Sequence, residues 1–180
     1  MGEVLRKPLY EQLTQAMGAL AKHPQTLFVG QSVVYDGQAA HDTFSLVPAE
    51  RKLEFPVAED FQLGFCAGLA LAGYIPVCFY PRMDFFLLAW NQLLNHVDKA
   101  PYIWKQHLHI IIRVGIGSDR PLNPGPQHQG NYHPALMDYL FKGGGECRIL
   151  HPELAPPMRI YSNALLNPHP WIISEPMELY

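Results

Sequence analysis

The chain has 180 residues, of which 48% are apolar and 16% are charged, enough to bury one core in a single domain covering residues 1–180. Its formal net charge of -3 and its scattered lysines and arginines lack the basic excess that binding to a nucleic-acid backbone requires. Its apolar runs are too short to span a bilayer, and its first residues resemble an amphipathic helix more than a signal peptide. We therefore expect a soluble cytoplasmic protein that binds neither nucleic acid nor membrane.

The first half of the chain alternates helical and strand-like patterns. Apolar residues at helical spacing over 9–21 are followed by the short apolar run 26–30. Residues 60–73 form the next predicted helix, and 75–81 the next strand. A longer helical pattern follows at 84–100.

The second half continues the alternation. A continuous apolar run at 107–115 predicts a buried strand, and 135–142 predicts a helix. A strand at 147–150, a helix at 156–166 and a strand at 170–176 complete the series. Such alternation predicts a single doubly wound α/β domain, with a mostly parallel sheet and helices on both faces.

Three cysteines, Cys66, Cys78 and Cys147, lie far apart without a CxxC pair. Their apolar surroundings favour buried, reduced thiols.

The loop from 115 to 133 is too long for a simple connector and is expected to be functional. It contains His128 and His133, and His107 and His109 lie on the preceding strand. Four histidines invite a zinc hypothesis, but no cysteine or carboxylate completes a known ligand pattern, so we predict no metal on this chain.

Glu59 and the pair Phe85 and Phe86 are ambiguous by themselves. Glu59 begins a predicted helix, where a solvated carboxylate is favoured by the helix dipole. The two phenylalanines would ordinarily be core residues.

The combination of these features resembles a known family. The segment 55–99, FPVAEDFQLGFCAGLALAGYIPVCFYPRMDFFLLAWNQLLNHVDK, resembles the pyrimidine-binding domain of the transketolase family, especially the beta subunits of 2-oxo acid dehydrogenases. Its most specific parts are PVAE at 56–59 with the following GFCAGLALAG, AWNQLLNHVDK at 89–99 and GPQHQGNYH at 125–133. The resemblance implies thiamine diphosphate as the cofactor.

The resemblance also implies residue roles. Glu59 would hydrogen-bond the aminopyrimidine ring of the cofactor, Phe85 would stack on that ring, and His133 would lie near the substrate. His128, in the same loop, is a further catalytic candidate. The implied reaction is decarboxylation or carboligation of a 2-oxo acid or ketose.

One family feature is missing from this sequence. Relatives hold the diphosphate through Mg²⁺ and a GDG motif, and the chain contains no GDG. We therefore expect a partner chain to bind Mg²⁺ and the diphosphate, in a heterotetramer with this chain. The small-residue helix from Asp60 to Ala72 and the region of Trp90 are the predicted contact surface. The alternatives are a non-catalytic interaction subunit with the same fold and a histidine-metal hydrolase.

Overall fold

The computed structural model describes residues 9–35, 39–117, 119–120, 123–140, 146–149 and 155–180. Side chains are described for all of these except residues 39, 41 and 146–149. The side chain of Cys147 therefore lies outside the described part of the chain.

A parallel sheet of six strands forms the centre of the molecule, in the order β2-β1-β3-β4-β6-β5. The strands are β1 (Thr26–Gly30), β2 (Lys52–Glu54), β3 (Ile75–Tyr80), β4 (Ile111–Ile116), β5 (Glu146–Ile149) and β6 (Trp171–Pro176). β3, β4 and β6 are buried along their whole length, as expected for parallel strands covered on both faces.

Eight α-helical segments are described around the sheet. They are α1 (Leu9–Leu20), α2 (Ala39–Thr43), α3 (Glu59–Leu71), α4 (Met83–Phe86), α5 (Trp90–Gln92), α6 (Ala100–Ile103), α7 (His133–Leu140) and α8 (Pro157–Leu166). The longest of them, α3, has 13 residues, and none of the described helices is long and apolar enough to cross a membrane.

Two apolar cores lie on opposite faces of the sheet. On one face, α1 and α8 pack together over side chains such as Phe28, Val77 and Ile173. On the other face, α3 and α7 cover Cys78, Ile112 and their neighbours. Successive residues of β1, β3, β4 and β6 thus serve opposite cores. The predicted doubly wound fold is confirmed.

The structure differs from the predicted elements at several points, of which three bear on the sheet and on the segment after β3. β2 was not predicted, because three half-buried residues at an edge show no apolar run. The single helix predicted at 84–100 is broken into α4, a 3-10 turn, α5 and a π-helical turn at Leu93–Val97. β4 begins at Ile111 rather than at 107, although Leu108 and Ile110 are already buried.

The side on which the chain adds its next strand changes at β1, while all strands stay parallel. The chain runs from β1 outward to β2 and returns to pair β3 on the other side of β1. In open parallel sheets, the carboxyl ends of the strands flanking such a reversal leave a crevice where ligands bind.

Two strand glycines allow the backbone to pack closely at this edge. A Cβ atom on Gly30 would lie 2.5 Å from the Phe79 carbonyl oxygen, and one on Gly115 would lie 2.5 Å from the Pro81 carbonyl oxygen. Neither backbone oxygen can move without shifting its strand.

Gly115→Ala is therefore expected to lower the free energy of unfolding by about 1 to 3 kcal/mol, because the added methyl overpacks a rigid contact. Gly68→Ala on α3 is the matched control. A Cβ there meets nothing within 4 Å, so the higher helix propensity of alanine should leave stability unchanged or raise it by up to about 1 kcal/mol. Urea unfolding of both variants measures the difference, and equal stabilities would contradict the packing argument.

Candidate functional site

A cavity of about 300 Å³ opens at the carboxyl edge of the sheet, beside the reversal at β1. Residues that follow β1, β3 and β6 contribute most of its wall. The lining residues are Gln31, Ser32, Ala40, Phe79, Pro81, Arg82, Phe85, Met177 and Tyr180. The cavity therefore lies where the strand order predicts a ligand site.

Glu59 lies at the first position of α3 and is only 4% exposed. Its Oε1 accepts a hydrogen bond of 3.1 Å from Nε2 of Gln31, which lines the cavity. No described residue bonds Oε2. A buried carboxylate with one oxygen still available is suited to bind a polar ligand atom, and the solvated carboxylate considered from the sequence is excluded.

The loop that carries Gln31 is held by a second carboxylate. Ser32 has a φ of 60°, a left-handed conformation that is uncommon for residues other than glycine. This conformation directs the backbone N–H groups of Ser32, Val33 and Val34 toward Glu54, whose carboxylate accepts them at 2.6, 2.9 and 3.1 Å. Glu54 thereby positions Gln31, and Gln31 in turn positions Glu59.

Two buried side chains fix the first turn of α3 against β3. The Tyr80 hydroxyl donates to the Glu59 carbonyl oxygen at 3.0 Å. Gln62 Nε2 donates to the Phe79 carbonyl oxygen at 2.9 Å. The backbone at Glu59 is thus attached to the strand that carries the cavity wall.

Phe85 and Phe86, which sequence analysis did not distinguish, lie in different environments. Phe86 is fully buried and packs on Tyr80, with ring centroids 4.8 Å apart. Phe85 is half-buried, lines the cavity and meets the His128 ring edge to face at 5.1 Å. Phe85 is therefore the one of the pair available to a ligand.

The His128 loop is anchored on α4. Asp84 accepts the Gly130 N–H at 3.0 Å through Oδ2 and faces the Tyr132 hydroxyl at 3.4 Å through Oδ1. His128 itself has a buried Nδ1 atom that no group in the described structure bonds. An unpartnered buried nitrogen beside a cavity residue is a candidate ligand contact.

His133 lies in a different environment. Its side chain is 5% exposed, and its Nδ1 is 3.0 Å from the hydroxyl of Ser174 on β6. It is not part of the cavity wall. His128 and His133, which are five residues apart in sequence, are therefore separated into a cavity neighbour and a buried residue at the start of α7.

The other two histidines of the zinc hypothesis are elsewhere. His107 packs edge to face on His169, and His109 Nε2 is 2.7 Å from the Ala164 carbonyl oxygen. Within the described residues, no three histidine, cysteine or acidic side chains are placed to hold a metal ion.

A fully buried ion pair bonds Tyr180, a residue of the cavity wall. Arg113 on β4 donates through Nε to both carboxylate oxygens of Glu175 on β6, at 3.0 and 2.8 Å. Its other nitrogens donate to the hydroxyls of Thr43 and Tyr180, at 2.7 and 2.8 Å. Tyr161 donates to Glu175 at 2.6 Å, and the Tyr180 hydroxyl donates to it as well. Tyr180 connects this network to the cavity wall.

Arg113 stays protonated despite complete burial. Burial by itself lowers the pKa of Arg113, but the adjacent Glu175 carboxylate outweighs it, and the resulting pKa lies above the ordinary arginine value. Burial and Glu175 raise the pKa of Tyr180, so this hydroxyl stays protonated. The guanidinium also lies over the rings of Phe44 and Phe79, at 5.0 and 5.3 Å from their centroids.

Sequence reasoning missed this network, although a signal was present. Arg113 interrupts the apolar run IIIRVG, and Glu175 ends the run IISE. Charged residues inside strands that are otherwise apolar are seldom buried unless they are paired.

Comparisons with known proteins agree with the predicted resemblance. No protein-family model matches the chain. The pyruvate dehydrogenase E1 component subunit beta of Chaetosphaeridium globosum is 30% identical over 137 residues, which is 71% of this chain and 40% of that protein. The 3-methyl-2-oxobutanoate dehydrogenase subunit beta of Mycobacterium tuberculosis is 29% identical over 105 residues, which is 55% of this chain and 27% of that protein. The chain thus spans less than half the length of these relatives.

A solved structure shows the same fold. It is described as a split gene transketolase in an inactive beta4 tetramer, and it matches 93% of this chain and 50% of its own, with a TM-score of 0.67 and 19% identity.

Removing either partner of the ion pair should destabilise the fold. Arg113→Met leaves Glu175 buried without its cation, and Glu175→Met leaves Arg113 without its anion, so each is expected to lower the free energy of unfolding by about 3 to 5 kcal/mol. The double variant should be destabilised by much less than the sum of the two. Urea unfolding tests this expectation, with Tyr161→Phe as a control that removes one hydrogen bond but no charge. Additive losses in the double variant would show that the pair does not act as a unit.

Proposed function

We propose that this chain, which is a relative of the beta subunits of 2-oxo acid dehydrogenases, binds the aminopyrimidine end of thiamine diphosphate as one subunit of a split enzyme. The observation that carries the proposal is Glu59, a buried carboxylate at the start of α3 whose Oε2 is bonded by no described residue. The enzyme decarboxylates or carboligates a 2-oxo acid or ketose. A partner chain with a GDG motif supplies Mg²⁺ and the diphosphate site, in a heterotetramer.

The side chains around the cavity fit the pyrimidine end of this cofactor. Oε2 of Glu59 is available for a ring nitrogen, because Gln31 occupies only Oε1. Phe85 presents an aromatic surface in the cavity wall. A cavity of about 300 Å³ is large enough for a ring of this size but at the lower limit for a whole cofactor.

Each residue has a distinct task in the proposed mechanism. When bound, the cofactor supplies a thiazolium that accepts the electrons released from the substrate. Glu59 holds a proton at the pyrimidine nitrogen, and Gln31 orients the carboxylate that does so. Phe85 orients the ring and excludes water from one of its faces.

His128 is the favoured proton-transfer residue of the loop. Its ring lies against Phe85, and its Nδ1 has no partner within the described structure. His133 is better placed to fix the start of α7 against β6, because its ring nitrogen is already near Ser174. We therefore propose His128 as catalytic and His133 as a positioning residue.

The proposed partner surface includes the exposed part of α3. Phe61 is 61% exposed and packs with Phe55 and Phe65 in an aromatic cluster. Gly64 is already covered within the chain, since a Cβ there would lie 3.6 Å from Gln92, whereas the space beside Gly68 is open. A non-catalytic interaction subunit would use the same surface, and Glu59 distinguishes the two functions.

Glu59→Gln is expected to lower turnover of the reconstituted complex by roughly 10²- to 10⁴-fold, because it removes a positioned proton-transfer group. Glu50→Gln is the matched control: it makes the same chemical change at an exposed carboxylate in the turn Ala49–Arg51, away from the proposed partner surface. The control should retain nearly normal turnover. Normal turnover of Glu59→Gln would favour the non-catalytic alternative.

Calorimetric titration of the same proteins with thiamine diphosphate and Mg²⁺ tests the split site. A charged hydrogen bond and a stacked ring together contribute about 2 to 4.5 kcal/mol, which hardly exceeds the entropic cost of association of about 4 kcal/mol or more. Binding should therefore appear only after the partner is added. Micromolar binding by the isolated chain would exclude the split site.

The two histidines are expected to respond differently to alanine substitution. His128→Ala should lower turnover and leave the free energy of unfolding nearly unchanged, because Nδ1 of His128 bonds no described group. His133→Ala should lower the free energy of unfolding by about 1 to 3 kcal/mol, because it removes a buried side chain hydrogen-bonded to Ser174. Steady-state kinetics and urea unfolding measure both. The reverse pattern would assign the catalytic role to His133.

A further inference from the structure

Arg82 is a half-buried cation in the cavity wall, directly after β3 and Pro81. Its one hydrogen bond in the described structure runs from Nη1 to the Gly117 carbonyl oxygen at 3.3 Å. No carboxylate oxygen of a described residue lies within 4.0 Å of it. Its remaining guanidinium donors are therefore available to a molecule in the cavity.

The nearby carboxylates are engaged with other groups. Asp84, two residues along the chain, bonds the Gly130 and Tyr132 groups of the loop. Glu175 is surrounded by Arg113 and two tyrosine hydroxyls. Glu59 accepts from Gln31. The positive charge of Arg82 thus has no direct partner among the described residues.

The pKa of Arg82 reflects the desolvation of its guanidinium. Burial lowers its pKa, and the more distant Asp84 only partly opposes the effect. An anion in the cavity would offset the desolvation of the guanidinium. Arginine, with its planar fork of donors, suits carboxylate and phosphate groups. The hydroxyl of Ser32, which lines the same cavity and has no partner in the described residues, can add a further donor.

The reacting carboxylate of a 2-oxo acid is a poor match for Arg82. This carboxylate loses its negative charge on decarboxylation, so a fixed cation beside it would stabilise the substrate more than the transition state. An anionic group that remains charged throughout the reaction has no such cost.

We propose that Arg82 binds a non-reacting anionic group of the substrate, a distal carboxylate or a phosphate, and so determines the substrate class. The inference rests on the proposed function for the identity of the reaction, but the anion site itself depends only on the cavity. Arg82 is a specificity-determining residue, and the substrate carries a second anionic group beyond the reacting carbonyl.

The test uses succinate and inorganic phosphate as probes, with succinamide as the uncharged equivalent of succinate. Binding is measured by calorimetry and by the NMR signal of the arginine Nε–H, on the full chain and on its reconstituted complex. Succinate or phosphate should bind, and succinamide should not. Arg82→Gln should weaken binding by about tenfold or more, which is the effect of losing one charge-assisted interaction.

Arg159→Gln is the matched control, because it removes the same charge from an exposed position on α8. It should bind the probes as the unsubstituted chain does. Arg82→Lys retains the charge without the fork and should give intermediate affinity. Thermal melting checks that each variant is folded. If Arg82→Gln does not fold, the response of the Arg82 Nε–H in the unsubstituted chain decides the question.

The outcomes separate this proposal from the proposed function. Binding of phosphate but not of succinate, or the reverse, supports the site and assigns its class. Binding that is unchanged in Arg82→Gln, equal binding of succinamide, or no binding to either the chain or the complex overturns the proposal. No cofactor is present in the assay, so failure of the Glu59 experiment leaves the anion result intact. Activity that depends on Glu59 without anion binding overturns only the role of Arg82.

Discussion

The buried pair of Arg113 and Glu175 is the interaction on which the cavity depends. It joins β4 to β6 on the face covered by α1 and α8, and it reaches Thr43 on α2 and Tyr180 beyond β6. A pair so deeply buried contributes little net stability, because desolvation offsets most of the attraction, but the loss of either partner leaves an uncompensated charge. β4, β6, α2 and the segment of Tyr180 must therefore pack so that both charges stay paired. Tyr180, which lines the cavity, is one of the residues held in this way.

Two carboxylates hold the loops around the cavity by accepting backbone N–H groups. Glu54 binds three successive N–H groups, and the loop it holds presents Gln31 to Glu59. Asp84 holds the other loop at Gly130 and places His128 against Phe85. Both loops follow strand ends at the same edge of the sheet, so their side chains converge although they are nearly 100 residues apart. Rigid supports of this kind reduce the reorganisation that binding would otherwise require.

The distribution of charge around the cavity has a functional consequence. Asp84 and Glu175 accept hydrogen bonds from other groups, whereas Arg82 bonds only a backbone carbonyl oxygen among the described residues. A relative that lacked an arginine at this position would present a cavity without this cation. Differences between members of such a family can therefore arise from one residue after β3, while the fold and the carboxylate on α3 stay the same.

The sequence by itself determined the order of helices and strands, the parallel α/β fold and the family resemblance. These properties depend on local periodicity and short motifs, such as PVAE before α3, which do not require knowledge of distant contacts. The short edge strand β2 and the broken helix at 84–100 were not predicted, since their limits are set by pairing and packing with other elements. Only the tertiary structure separated Phe85 from Phe86, placed His128 against Phe85 and His133 against Ser174 of β6, and brought Arg113 to Glu175. Each of these depends on which face of an element is buried against a distant segment, and a single sequence carries no direct record of such contacts.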